Sequence, residues 1–139
     1  MYLIIHVHYS YANFSFLLIT YYTGQKMIAF YEVSIEVMKE HSHAWVDWMI
    51  SIHIPEVMKC GVFINAKLSK VTDPVSESYD TFHIQYSANS LQDIQLYRSE
   101  YSPALQASHN RIFGEHTNVM RKVLQLEKEF LLRMLVFYF

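Results

Sequence analysis

The chain has 139 residues, a net charge of −2 and only 17% charged residues. That length suffices for one core and suggests one main domain, while the near-neutral charge and scattered Lys and Arg give a phosphate backbone no basic surface and exclude nucleic acid as a partner. The single cysteine, Cys60, excludes an intramolecular disulfide, so no oxidising compartment is needed and a cytoplasmic location is expected.

Residues 1–26 contain no Asp, Glu or Arg, and Lys26 is their one Lys or Arg. As a helix, Tyr2 to Tyr22 would be long enough to cross the ~30 Å hydrocarbon core of a bilayer and act as a membrane anchor. His6, His8, Asn13 and the tyrosines argue against a spanning segment, and the missing positive n-region argues against a signal peptide. The same composition suits strands at Tyr2–Tyr9 and Phe14–Tyr22. The preferred reading is an apolar extension upstream of a natural start at Met27, because an independent fold signal begins there.

From Ile28 to Val37 the chain alternates, with Tyr31, Val33, Ile35 and Val37 on one face and Glu32, Ser34 and Glu36 on the other. This predicts a half-buried antiparallel strand. Met38 to His43 form a polar connection, and Ser42 is a candidate N-cap. Trp45, Trp48, Met49 and Ile52 then repeat at i, i+3, i+4 and i+7, the stripe of a buried helix face. Continued undisturbed, that stripe would receive Glu56. Pro55 removes a backbone donor and crowds the Ser51 carbonyl, so the helix is expected to kink or restart there, sending Glu56 to solvent and Val57 and Met58 inward. Gly61 is the expected left-handed terminator.

Val62 to Thr72 alternates again, with Ile64, Ala66 and Leu68 assigned to one side and Phe63, Asn65, Lys67 and Ser69 to the other. The turn-forming run Thr72–Ser78 makes Val62 to Ala88 a long hairpin. Its returning strand, Tyr79 to Ala88, groups Phe82, Ile84 and Tyr86 against Thr81, His83, Gln85 and Ser87. Ser90 with Asp93 resembles a capping box and opens a helix whose inner stripe is read as Leu91, Ile94, Tyr97 and Tyr101. Ser102 and Pro103 break and recap it, and the second piece turns Leu105, Ile112 and Phe113 inward before Gly114. A last strand covers approximately His116 to Leu126, where Val119/Arg121/Val123 and Met120/Lys122/Leu124 suit the core side equally.

Strand, helix, strand, strand, helix, strand from residue 27 to about 126 is the split βαβ pattern of an α+β, ferredoxin-like domain: a four-stranded antiparallel sheet with both helices on one face. Residues 127–139 form an apolar tail. Its Phe130 to Phe139 stretch, ~15 Å as a helix, is too short to span a bilayer and must pack on the sheet or on a partner.

At HIPEVMKCGVF, at Ser87 to Tyr97 and at YSPALQASHNRIFGE, the chain resembles the uncharacterised family called domain of unknown function 4286. The spacing of Trp45, Trp48, His53 and Pro55 is the most specific part. The family in turn resembles the dimeric α/β-barrel group, in which two ferredoxin-like subunits join their open sheet faces and which includes small cofactor-independent monooxygenases. The resemblance implies that fold and a homodimer, and it brings no established activity. Where the family typically has His-Ala-Pro, this chain has Tyr101, Ser102 and Pro103, so it lacks an imidazole there.

Candidate chemistry is sparse. The open sheet face collects Glu32, Ser34, Glu36, Phe63, Asn65, Lys67, His83 and Gln85. Glu36, Asn65, Lys67, His83 and Gln85 would suit a small-molecule ligand inside a two-subunit barrel, with His83 as base or ligand; the plainer alternative is a solvated or dimer-facing polar surface. His53, at the edge of the helical stripe, is a second catalytic candidate, weighed against local hydrogen bonding near the proline. His109 is expected to border the core. The pairs His6/His8 and His41/His43 have no Cys or carboxylate at a matching interval, so no metal is expected. Cys60 sits at the wrong end of a helix dipole for a thiolate nucleophile. The absence of GxGxxG, P-loop, HExxH and GxSxG removes the common nucleotide, zinc-protease and hydrolase readings, and no cofactor is expected. The expected function is a small homodimeric domain with an interaction or small-molecule-binding role. The alternative is a cofactor-independent monooxygenase-like enzyme, in which an apolar dimer-barrel cavity desolvates an acidic substrate and His83 or His53 assists its deprotonation.

Overall fold

The computed structural model describes residues 3–11, 14–22 and 28–130, the first two stretches by their backbone. The chain divides into two compact units, residues 1–26 with 127–139 and residues 27–126. In the first unit, β1 (Leu3–Tyr11) and β2 (Phe14–Tyr22) pair antiparallel, with Leu3 opposite Tyr22 and Tyr11 opposite Phe14. Of the readings offered for this stretch, the strands are the ones observed, and a spanning helix is not. The side chains of His6 and His8 and the packing of the tail beyond Phe130 lie outside the described residues. Among the described residues no helix is long and apolar enough to cross a membrane.

The second unit opens with β3 (Ala29–Met38), which passes through a short 3-10 turn into α1 (Ser42–Trp48), a π turn (Met49–His53) and α2 (Ile54–Lys59). The hairpin of β4 (Phe63–Lys70) and β5 (Tyr79–Ala88) follows, then α3 (Leu91–Leu96), a second π turn (Tyr97–Tyr101), α4 (Ser102–Phe113), a 3-10 turn and β6 (Thr117–Gln125). The sheet order is β4-β5-β3-β6, with every neighbour antiparallel. Tyr31, Ile35 and Val37 of β3 and Phe82, Ile84 and Tyr86 of β5 share one core with Trp45, Met49, Val57, Ile94, Tyr97 and Phe113, so both helical segments lie on one face of the sheet. This is the ferredoxin-like α+β arrangement the element order predicted.

Each helical segment changes phase before its proline. In the first, the Ile54 N–H bonds to the Met49 carbonyl five residues back, and Pro55 then sits in the first turn of α2. In the second, the Ser102 N–H bonds to the Tyr97 carbonyl, also five back, and Pro103 opens α4. A wide turn is one of the few ways a helix can pass into a proline without breaking. A serine stands four residues before each proline and bonds back into the preceding turn: the Ser51 hydroxyl donates to the Asp47 carbonyl, and the Ser99 hydroxyl to the Leu96 carbonyl at 3.2 Å. Such back-bonding bends helices.

These turns account for several departures from simple helical phasing. Ile52, expected inward, is exposed, and His53 takes the inward position between Met49 and Val57. Glu56 does face solvent and Val57 the core. Tyr101 and Ile112 are exposed rather than inward, while His109 and Phe113 are buried. Ser42 is the first helical residue rather than the cap, and its buried hydroxyl lies beside the Asp80 carboxylate. Ser90 does cap α3, accepting the Asp93 N–H at 3.1 Å, and Gly61 has φ 74° as expected of a left-handed terminator.

In β4 a bulge between Phe63 and Asn65 shifts the register against Ala88 and Ser87. The extra residue reverses the expected faces at the start of the strand. Phe63, assigned to the open face, is buried against Tyr31, Tyr86 and Tyr97, and Ile64 is exposed. On β6, register places Val119 beside Ile35 and Arg121 beside Val33, which makes Val119/Arg121/Val123 the core side.

Candidate functional site

Between the sheet and the helices lies a half-open cavity of about 40 Å³, lined in part by Tyr31, His53, Tyr97, Gln106, His109 and Arg121. Both π turns contribute, the first through Met49 and His53 and the second through Tyr97. Such wide turns occur often at functional sites.

The two imidazoles stand 6.0 Å apart between ring centroids and differ in kind. His109 Nε2 accepts the indole N–H of Trp45 at 3.0 Å. The neutral ring therefore carries its proton on Nδ1, 3.4 Å from Asn110 Oδ1. Burial lowers the pKa of His109, with Asn110 acting in the opposite sense. His53 stacks on Trp48 with ring centroids 5.0 Å apart, and its buried Nδ1 has no hydrogen-bond partner. Its Nδ1 therefore takes no part in the local hydrogen bonding weighed for this residue from the sequence. Burial, with His109 and Arg121 nearby, lowers its pKa to about 4, so the ring is neutral at ordinary pH.

Arg121 is exposed and stands on the solvent side of the cavity. It lies beside the Tyr31 phenol together with Ser102; burial nevertheless dominates and pushes Tyr31 upward, as it does Tyr86 and Tyr97. All three are neutral hydroxyl groups at physiological pH. The Gln106 amide donates to the Ser102 hydroxyl. The cavity therefore presents one guanidinium, neutral imidazoles and phenols on an apolar base.

The open sheet face holds the other sequence-derived candidates. Glu32 accepts the Gln85 amide at 2.8 Å on one oxygen, and His83 Nε2 lies 3.3 Å from the other. Asn65 Oδ1 accepts the Ser87 hydroxyl at 3.0 Å, and Glu36 Oε2 accepts the Asn118 amide at 3.3 Å. Lys67 is exposed opposite Gln85 in register. His83 and Gln85 are thus brought together around Glu32, while Glu36 and Asn65 each engage a different neighbour. His53 is on the opposite side of the sheet from all of them.

Among the described residues no group of three or more His, Cys, Asp or Glu is arranged for a metal ion. His41 stacks on His116 at 3.8 Å between centroids, and His43 lies 3.5 Å from Asp47. Burial pushes the half-buried Cys60 thiol up. Sequence reasoning missed Arg121, Gln106 and Tyr31 as site residues. The available signal was an arginine alternating with Val119 and Val123 on a strand face that would otherwise be apolar.

Sheet order and register define a ferredoxin-like α+β domain. The chain belongs to the family described as domain of unknown function (DUF4286), whose model matches residues 27–127. Among solved structures it is similar to a putative antibiotic biosynthesis monooxygenase from Bacillus cereus, at TM-score 0.56 and 12% identity over 76% of this chain and 99% of that one. It is also similar to the hydroxynitrile lyase of Passiflora edulis, at TM-score 0.56 and 10% identity over 76% and 98%. A dimeric ferredoxin-like protein from an uncultured marine organism matches at TM-score 0.50 and 8% identity over 75% and 99%. At these identities the likeness is one of fold. No curated protein matches the chain in sequence.

Proposed function

We propose that residues 27–126 form a homodimeric small-molecule-binding domain, flanked by the 1–26 extension and the 127–139 tail, whose ligand site is the cavity beneath the helices. The observation that carries this reading is His53, a cavity-lining imidazole whose buried Nδ1 is unpaired. An unsatisfied buried polar atom costs about 1–3 kcal/mol and calls for an explanation, which a ligand in this cavity supplies. Glu36, Asn65, Lys67, His83 and Gln85 are assigned to the contact between two open sheet faces, because most of their polar groups already engage residues of the same face. The solved dimeric ferredoxin-like protein of the same fold supports this assembly. The lone Cys60, which needs no oxidising compartment, supports action in the cytoplasm.

The test is native mass spectrometry of purified protein, comparing wild type with His53→Phe. A dimer that carries a small molecule in the wild type and loses it in the variant supports the reading. A monomer, or a ligand retained equally by both, overturns it.

A second reading, a cofactor-independent monooxygenase-like enzyme, is favoured by the same His53, since a neutral desolvated imidazole is suited to removing a proton from an acidic substrate. It differs from the sequence expectation in placing the chemistry between sheet and helices instead of in a barrel between subunits. Oxygen uptake on adding the co-purified molecule, lost in His53→Phe, would support it; binding without uptake would leave binding as the role.

A further inference from the structure

We infer that the cavity takes a small hydroxy acid, its carboxylate held by Arg121 with the Tyr31 phenol and its hydroxyl donated to the His53 imidazole. This rests on the binding role proposed above and adds the chemical class of the ligand.

Charge points to an anion. Arg121 is the one fixed charge among the residues lining the cavity, and no Asp or Glu is among them. A guanidinium presents a planar fork of donors that matches a carboxylate in two parallel hydrogen bonds. The Tyr31 phenol beside it supplies a further donor, kept protonated by burial. Arg98 also acts on Tyr31 through its charge, so the local field is positive.

Size points to a small ligand. The cavity is only about 40 Å³, far below the several hundred Å³ of a drug-sized pocket, which suits a ligand of few heavy atoms. A two-carbon hydroxy acid is of that kind, with its carboxylate and hydroxyl on adjacent carbons.

Hydrogen-bond complementarity supplies the hydroxyl. His53 is neutral, with one ring nitrogen free to accept, and Arg121 is near enough to act on its proton affinity. The other imidazole cannot serve: His109 Nε2 already accepts from Trp45, and its Nδ1 faces Asn110. An acid bearing a hydroxyl therefore satisfies the guanidinium and the unpaired imidazole together. A plain carboxylate leaves the imidazole unmet, and an ester forfeits the charge-assisted bonds to Arg121.

The experiment is a two-dimensional NMR titration of the full chain with glycolate, acetate and methyl glycolate, repeated with Arg121→Gln and His53→Phe. In the wild type glycolate should bind about tenfold more tightly than methyl glycolate and severalfold more tightly than acetate, with shifts at cavity residues. R121Q should erase the preference for acid over ester, and H53F the preference for glycolate over acetate. Acid and ester binding equally in the wild type, with shifts at the cavity, would overturn the inference while leaving the binding role intact. If none of the three shifts any cavity resonance, the inference and the cavity reading fall together. Should H53F not fold, the acid-against-ester comparison in wild type and R121Q, whose substitution lies on an exposed position of an edge strand, still decides.

Discussion

Trp45 donates its indole N–H to His109 Nε2 across 3.0 Å, linking the first helical segment to the second inside the core. Trp45 is fully buried and its ring packs on Phe82 at 4.8 Å between centroids, so this bond has no access to solvent. Trp45→Phe removes the donor and some volume while leaving His109 Nε2 buried and unsatisfied. We expect a loss of roughly 1–3 kcal/mol in chemical denaturation, and an NMR titration should show the pKa of His109 raised toward the ordinary histidine value, because Nε2 is then free to take a proton.

His53 makes stability depend on pH. Its pKa falls from the ordinary 6.5 to about 4 on folding, so between those values the unfolded chain binds more protons than the folded one. The contribution is fully present above about pH 6.5, declines as pH drops, and is fully lost below about pH 4. It amounts to about 3 kcal/mol at most, discounted for the partial exposure of the ring. Urea unfolding at neutral pH and near pH 4.5 should show the loss in wild type, and His53→Phe should flatten it; an unchanged slope in the variant would remove His53 as the source.

The two described glycines should respond oppositely to alanine. Gly61 has φ 74° with nothing near its would-be Cβ, so Gly61→Ala meets backbone strain alone and should cost about 1–2 kcal/mol. Gly114 keeps a helical backbone at φ −56°, with Asn110 Cβ at 3.4 Å, so Gly114→Ala should be neutral or stabilising by up to about 1 kcal/mol. Thermal midpoints of the two variants measured side by side would check both signs.

If two copies join through their open sheet faces, a charge placed on that face should part them. Met120 is largely exposed there, opposite Ser34 in register. Met120→Glu should lower the apparent mass from dimer to monomer in sedimentation equilibrium without changing the circular dichroism spectrum. A wild-type dimer unaffected by the substitution would point to another interface.

Much of this architecture was legible because alternation and turn chemistry are local. The strand from Ala29 to Met38, the Ser90 cap and the left-handed Gly61 each follow from a few neighbouring residues. What escaped was whatever depends on one residue more or less. The bulge after Phe63 exchanged that ring with Ile64, and the wide turns exchanged Ile52 with His53 and carried Tyr101 and Ile112 outward. Of the site, His53 was legible as a candidate, while its charged partner escaped for the same reason. Arg121 belongs to it through the register of β6 on β3, a long-range pairing that strand periodicity left two-valued.

The paired wide turns make the cavity a matter of chain length as well as residue identity. Removing one residue from Met49–His53 or from Tyr97–Tyr101 would return that segment to uniform α-helical winding and rotate everything after it by about 100°. A chain shortened in this way could keep both prolines, both serines and each imidazole, and even its sheet, while presenting a different set of side chains beneath the helices. Among related sequences, a one-residue gap at either position would therefore separate chains that retain this pocket from chains that share only the fold.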